Sequence, residues 1–329
     1  MNTTELSDES QAALFERVQS GREQVERELS KVIVGQKDVA KQLLVAIMAG
    51  GHCMITGAPG LAKTLLVKSI SKIFQLNFQR IQFTPDLMPA DITGTEILSD
   101  SPEGRKLTFV PGPIFANLLL ADEINRTPPK TQSALLEAMQ EHQVTAAGKR
   151  HQLQEPFFVL ATQNPVEMEG TYPLPEAQLD RFLFNVLIDY LPETDEIEVV
   201  RRTTSREFSP IQPVFSAEEV IAIQGLVREV PVDDEVIRYA VSIAAKTRPN
   251  TEGAPDFVNQ WVNWGAGTRA AQALILAGKA LALWEGKAYL SKDEIRALSK
   301  PVLRHRILLN YRAEAENVTV DDIIERLLV

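Results

Sequence analysis

At 329 residues, 44% apolar and 24% charged, the chain is long enough for about two domains with cores of their own. Its 34 Lys and Arg against 44 Asp and Glu give a net charge of −10, which argues against broad electrostatic binding of nucleic acid. A single cysteine, Cys53, excludes an intramolecular disulfide framework; no run of about 18 apolar residues could span a membrane, and Met1–Ser10 has neither the basic nor the apolar part of a signal peptide, so a cytoplasmic location is expected.

In chain order, Ser10–Lys31 carries Leu14, Val18, Val25 and Leu29 at helical spacing among charges. Val34-Gly35-Gln36 interrupts that pattern, and Lys37–Ala49 resumes as an amphipathic helix. His52–Thr56 reads as a short buried strand, Gly57–Thr64 as a glycine-containing turn and Leu65–Phe74 as a helix. Asn77–Phe83 is a second strand. Thr84–Pro113 is irregular and rich in Pro, Gly and Asp, with a small hairpin expected between Glu96-Ile97-Leu98 and Leu107-Thr108-Phe109-Val110. Such a long excursion between strands is usually functional. Ala116–Ala121 is an apolar strand running into Asp122-Glu123, and Pro128–Gln140 is a helix entered through paired prolines. Gln143–Thr145 and Arg150–Leu153 pair as a second hairpin across Ala147-Gly148-Lys149; Phe157–Thr162 and Phe184–Ile188 are further core strands.

This alternation of short apolar strands with helices predicts an α/β fold whose parallel sheet is covered on both faces. After Tyr190 strands are expected to disappear, with helices near 193–207, 216–228, 233–246, 268–285, 291–308 and 319–328. Pro210, Pro213 and Pro231 punctuate the change, and a boundary is expected near 208–214. The expected organisation is an N-terminal helix (1–31), an α/β core (32–207) and a helical domain (208–329).

The strand, turn and helix around Gly57-Ala58-Pro59-Gly60-Leu61-Ala62-Lys63-Thr64 would aim backbone N–H groups and a positive helix end at an anion. Lys63 could then reach terminal phosphates, and the Thr64 hydroxyl could ligate Mg²⁺. Ala62 stands where such loops usually carry glycine; as the residue that begins the helix, it is expected to take helical angles without strain. Asp122 at a strand end could bind the metal through its waters, and Glu123 could polarise the attacking water. The bland alternative for that pair is two exposed acids after a strand. Asn164, closing the next core strand, could hydrogen-bond the water or the terminal phosphate. Arg181 and Arg269 each need a counter-charge, either phosphate or a nearby carboxylate; a cation at the helix start opposes the dipole. Cys53 is read as filling space, and His52, His142, His151 and His305 as structural or solvated, since they lack ligand spacing.

Taken in order, GAPGLAKT, FTPDLMPADITG, FVPGPIF, LLLADEINRTPPKTQSALLEAMQE, ATQNP, GTYPLPEAQLDRF and GAGTRA resemble the AAA+ ATPases, specifically the MoxR family, from about Val32 to the helical end. The resemblance implies a P-loop NTPase core with a helical lid, ATP held between them and between neighbours of a ring, usually a hexamer. It implies that Gly57, Ala58, Pro59, Gly60, Leu61, Ala62, Lys63, Thr64 and Leu65 hold ATP, with Val34-Gly35-Gln36 beside adenine. Thr64 and Asp122 would serve Mg²⁺, Glu123 would complete Walker B, and Asn164 would be sensor 1. Arg181 would be the finger reaching the next subunit's ATP, and Arg269 the lid's sensor 2. The 84–113 and 143–153 stretches would be inserts facing partners or the central pore. The implied work is chaperone-like maturation or activation of a client protein complex, often with a partner carrying a von Willebrand factor A domain.

A competing function is the motor of a magnesium-chelatase-like metal-insertion complex, although chelatase motors usually depart from the LLLADEINR run. Nucleic-acid remodelling is a third class; the acidic balance and the lack of an aromatic-basic stripe count against it. A transcription-activator reading lacks the GAFTGA run of that group.

Overall fold

The computed structural model describes residues 8–101, 104–165, 170–204 and 210–329. Helix α1 (Asp8–Ser30) leads through Val34-Gly35-Gln36 into α2 (Lys37–Ala49), which Gly50 ends in the left-handed region, φ 69°, its N–H reaching Ala46 and Ile47 carbonyls. Then follow β1 (Cys53–Thr56), α3 (Lys63–Ile73), β2 (Phe78–Gln82) and the short α4 (Pro89–Thr93). An antiparallel pair, β3 (Gly94–Ser101) and β4 (Gly104–Pro111), comes next. Strand β5 (Leu118–Asp122) runs through a 3₁₀ turn at Ile124–Arg126 into α5 (Pro129–Glu141). A second pair, β6 (Gln143–Ala146) and β7 (Lys149–Gln152), precedes β8 (Phe158–Gln163), α6 (Glu176–Leu179), β9 (Phe184–Leu187) and α7 (Glu193–Thr204).

The five strands β2-β5-β8-β1-β9, in that spatial order, form one parallel sheet. Central β1, β5 and β8 are near-continuous apolar runs because both of their faces are covered. Edge strand β2 keeps only Ile81 buried and turns Gln79, Arg80 and Gln82 outward. The five expected core strands are therefore all present, each within two residues of its predicted ends.

The rest of the chain is α8 (Ala217–Glu229), α9 (Asp234–Lys246), α10 (Asp256–Trp261), β10 (Val262–Trp264), α11 (Thr268–Trp284), α12 (Lys292–Leu303), β11 (Leu308–Leu309), α13 (Tyr311–Ala315) and α14 (Val320–Leu328). Strands do not vanish altogether after Tyr190: β10 and β11 pair antiparallel, Val262 with Leu309 and Trp264 with Leu308. At two or three residues they are too short to show a period. The helix expected over 291–308 stops at Leu303, two residues past Pro301, and the chain then turns into β11. Short α10 and α13 were not expected. The end of the helix expected over 193–207 and the start of the 208–214 boundary fall on 205–209, outside the described residues.

Helix α1 does not stand apart. Val18, Val25 and Leu29 are buried, and it packs on α3 as well as on α8 and α11. Helix α2 likewise lies against α8, α11 and β9, with Gln224 Nε2 donating to the Ile47 carbonyl at 2.9 Å and Lys41 paired to Glu285 at 2.7 Å.

The first hairpin is longer than expected, eight residues per strand, with Glu96 opposite Phe109 and Leu98 opposite Leu107. It leans on the second through Phe109, stacked on His151 at 4.0 Å, and a Lys149–Glu96 ion pair at 3.3 Å. The second hairpin is rooted where α5 ends at His142 and where β8 begins. There Leu153 N–H donates to the His142 carbonyl at 2.9 Å, and His142 Nδ1 lies 2.6 Å from Glu155 Oε1. That hydrogen bond raises the His142 pKa above 6.5 and lowers that of Glu155 below 4.5. His142 thus adds stability fully below pH 6.5 that is lost as pH rises through its raised folded value. Glu155 adds stability above pH 4.5 that is lost as pH falls through its lowered one. His142→Gln should cost about 0.5–1 kcal/mol between those limits, the pair being over a third exposed, and almost nothing near pH 9. Denaturant titration at pH 5.5 and pH 9 checks this; an equal cost at both values would refute it.

Candidate nucleotide-binding site

Strand β1 delivers the loop. Thr56 Oγ1 donates to Asn185 Oδ1 at 2.9 Å, and a Cβ at Gly57 would sit 2.3 Å from the Ile188 carbonyl, so only glycine lets the chain pass there. Gly60 turns with φ 84°, open to the outside. Ala62 departs from expectation. It precedes α3 with φ 56° and ψ 22°, the left-handed region, rather than taking helical angles. The cost for a residue with a Cβ is about 1–2 kcal/mol, and such strain collects at functional sites. Lys63 opens α3, and its Nζ donates to the Gly57 carbonyl at 2.5 Å. Burial lowers its pKa, opposed by the charges of Asp122 and Glu123.

The sheet order sets the acids beside this loop, because β8 lies between β5 and β1 and all three strands end at the same edge. Asp122 accepts from Thr162 Oγ1 at Oδ1, 2.5 Å, and from the Arg80 guanidinium at Oδ2, 2.6 Å. Glu123 stands at φ 56°, and its N–H donates to Thr162 Oγ1 at 2.9 Å. Its Oε2 accepts from Gln82 Nε2 and Arg126, both at 3.0 Å. Asn164 follows β8, only 6% exposed. Val34-Gly35-Gln36 also reaches the loop. Gln36 Nε2 donates to the Leu61 carbonyl at 3.2 Å, and Gly35 (φ 77°) lies against Asp195 and Leu191.

Arg181 and Arg269 are elsewhere. Strand β9 starts beside the start of β1: Leu183 N–H bonds the His52 carbonyl, whereas Ile188 N–H bonds that of Thr56, just before the loop. Arg181 precedes β9, so it lies at the entry edge of the sheet, about 13 Å of strand from the loop, with its guanidinium on the Leu136 carbonyl at 2.6 Å. Arg269, at the start of α11, is 3.9 Å from Asp180 in the same segment. Buried Arg306 fixes that segment to the helical part, bonding Asp180 Oδ1 at 2.7 Å and the Phe182 carbonyl at 2.7 Å. The Gly57–Thr64 loop and the two arginines therefore do not meet within one copy, and Arg269 does not reach its own chain's loop as a lid residue closing over its own ATP would.

Residues 52–184 match the model of the ATPase family associated with various cellular activities (AAA), and residues 257–327 match that of the AAA lid domain. The chain is 40% identical to Chaperone MoxR1 of Mycobacterium tuberculosis, over 92% of its own length and 79% of that protein, and 42% identical to the uncharacterized protein YeaC of Bacillus subtilis, over 91% of each. Protein MoxR of Methylorubrum extorquens is 29% identical over 86% of each chain. A crystal structure described as "a putative ATPase" from Cytophaga hutchinsonii superposes with a TM-score of 0.88 at 42% identity, covering 95% of this chain and 96% of that one. The chain belongs to the MoxR family of AAA+ ATPases.

In this MoxR-family chain, the residues whose importance motif reading missed are those holding the acids: Thr162, Arg80, Gln82 and Arg126. Thr162 did leave a signal, as a hydroxyl in an otherwise apolar strand. The histidines serve structure. His52 is fully enclosed, with Nε2 3.0 Å from the Met139 carbonyl while Nδ1 accepts from Val159 N–H at 3.0 Å, and burial lowers its pKa to about 4. His305 contacts the Phe182 carbonyl and is likewise pushed down by burial. Cys53 is buried in β1, where loss of solvation raises its thiol pKa and keeps it inert.

Lys63→Ala removes the one ammonium at the loop. A charge-assisted hydrogen bond contributes about 1.5–3 kcal/mol, so ATP should bind roughly ten- to a hundredfold more weakly. Calorimetry giving the parent affinity would exclude Lys63 from phosphate binding.

Proposed function

We propose that this protein hydrolyses ATP with Mg²⁺ in a ring of copies, a hexamer, and uses the energy to remodel or activate a client protein complex in the cytoplasm. The observation that carries the reading is the split site: loop, acids and Asn164 at one edge of the sheet, Arg181 and Arg269 at the other. Neither arginine reaches the phosphoryl held by its own copy's loop, and a head-to-tail neighbour supplies them beside that copy's Lys63.

The residues suit ATP and its metal. Gly57 lets the loop pass Ile188, which a Cβ there would meet, and the start of α3 aims N–H groups at the phosphates. Thr64 and Asp122 offer the oxygen donors Mg²⁺ prefers. When bound, Mg²⁺ neutralises phosphate charge. Lys63 binds the β- and γ-phosphates, Asn164 orients the attacking water, and Glu123 accepts its proton. Glu123 must first leave Gln82 and Arg126, which hold its carboxylate at 3.0 Å. Arg181 and Arg269 of the adjoining copy stabilise the transferring phosphoryl. Exposed Leu98 and Leu107 on the first hairpin, 58% and 59% accessible, supply apolar contacts for a client, and a von Willebrand factor A domain protein is the proposed adaptor.

Phosphate release per protomer, measured against protein concentration, tests the reading. It should rise steeply as rings assemble, as followed by light scattering. Concentration-independent turnover by monomers, or none in assembled rings, would defeat it.

A further inference from the structure

The two acids of the site are one residue apart in sequence, yet they must do different work, one beside the metal and one beside the water. Nothing in their own covalent structure fixes either orientation. A carboxylate turns freely about its last torsion, which has broad minima, and a glutamate at φ 56° sits where residues with a Cβ seldom rest. Both are held by the same atom. Thr162 Oγ1 gives its proton to Asp122 Oδ1 at 2.5 Å and accepts the Glu123 N–H at 2.9 Å. A hydroxyl has one donor and two acceptor positions, so this use of it is complete on the donor side. Thr162 is 1% exposed and follows Phe158, Val159, Leu160 and Ala161, all buried. A hydroxyl in such a strand is costly unless bonded, and here its partners are the acids and not the ladder. Arg80 holds the other oxygen, Oδ2, through Nε at 3.1 Å and a terminal nitrogen at 2.6 Å. The Asp122 carboxylate is thereby pinned on both sides.

We propose that Thr162 is a positioning residue for hydrolysis: its buried hydroxyl fixes the Asp122 carboxylate toward Mg²⁺ and holds the Glu123 backbone in its left-handed conformation, so that the Glu123 side chain always starts from the same place beside Asp122. The inference rests on the ATPase reading above. Valine has the shape of threonine without the hydroxyl, whereas serine keeps the hydroxyl without the methyl. Groups that orient metal ligands typically alter metal affinity or activity by about 10–100-fold when removed.

The decisive measurements are ADP affinity with and without Mg²⁺, by calorimetry, and kcat, on the full chain. Thr162→Val should bind ADP as the parent does in chelator, but lose roughly 10–100-fold of the tightening that Mg²⁺ confers, and a similar factor in kcat. Thr162→Ser should recover most of both. Parent-like Mg²⁺ dependence and kcat in Thr162→Val would overturn the proposal, as would Thr162→Ser failing as badly as Thr162→Val, which would assign the effect to methyl packing. Lys63→Ala and Glu123→Gln, measured alongside, separate the two readings: if they too behave as the parent, the ATPase reading itself falls. The unaltered chain supplies a check independent of folding in any variant. Its Glu123 amide should exchange hydrogen as slowly as the neighbouring sheet amides, and exchange at the rate of an open loop would overturn the proposal.

Discussion

Arg181→Ala is expected to bind ATP as the parent chain does, to assemble normally, and to hydrolyse about 10³–10⁵-fold more slowly, a loss of about 4–7 kcal/mol of barrier lowering. The expectation follows from where the side chain lies. Arg181 sits at the entry edge of the sheet on the Leu136 carbonyl, so its removal leaves its own chain's loop, Asp122 and Glu123 intact. The defect should therefore belong to the neighbour. Mixing Arg181→Ala with Glu123→Gln tests this directly, since a pair can form in which the first supplies an intact pocket and the second an intact arginine. In a one-to-one mixture roughly one head-to-tail interface in four has that composition, and turnover should rise well above that of either variant alone. A mixture as inactive as its components, with mixed rings verified, would show that Arg181 does not act across the interface.

The same placement marks how far the sequence could be read. The core strands, the loop and the acids were legible because each rests on local pattern: continuous apolar runs for β1, β5 and β8, and a glycine-bearing turn between strand and helix. Arg269 was legible as a cation at a helix start and as a motif position, but not in its destination. That depends on how α11 and β11 dock, and the docking is set by Arg306 bonding Asp180 across 126 residues of sequence. Long-range polar anchors of this kind leave no periodic trace.

Backbone conformation was the other blind spot. Ala62 was expected to take helical angles because it begins a helix, yet the loop's path forces φ 56° there. The residue type gave no warning, since alanine is the strongest helix former. Glu123 has the same left-handed angle, 56°. In both cases closure of the structure around the site overrides local preference, which is how strained residues persist. Thr162 belongs with them: its partners, Asp122 and Glu123, lie 40 and 39 residues away in sequence and meet it only because β5 and β8 are neighbours.

Glu123→Gln is expected to keep nucleotide affinity and to lose about 10²–10⁴-fold in turnover, the usual contribution of a positioned base, or roughly 3–5 kcal/mol. The substitution exchanges one oxygen for an amino group that cannot accept a proton, while keeping the length of the side chain. The left-handed backbone at residue 123 is untouched, because it is held through the amide and Thr162 rather than through the side chain. Asp122 keeps both of its partners, Thr162 and Arg80, so its carboxylate stays oriented. Loss of turnover can then be assigned to the carboxylate itself. A single-turnover experiment with preassembled rings separates chemistry from product release: the variant should hold unhydrolysed ATP, where the parent gives a burst of phosphate. A burst at the parent rate would remove Glu123 from the chemical step and leave Asn164 as the residue to examine for orienting the water.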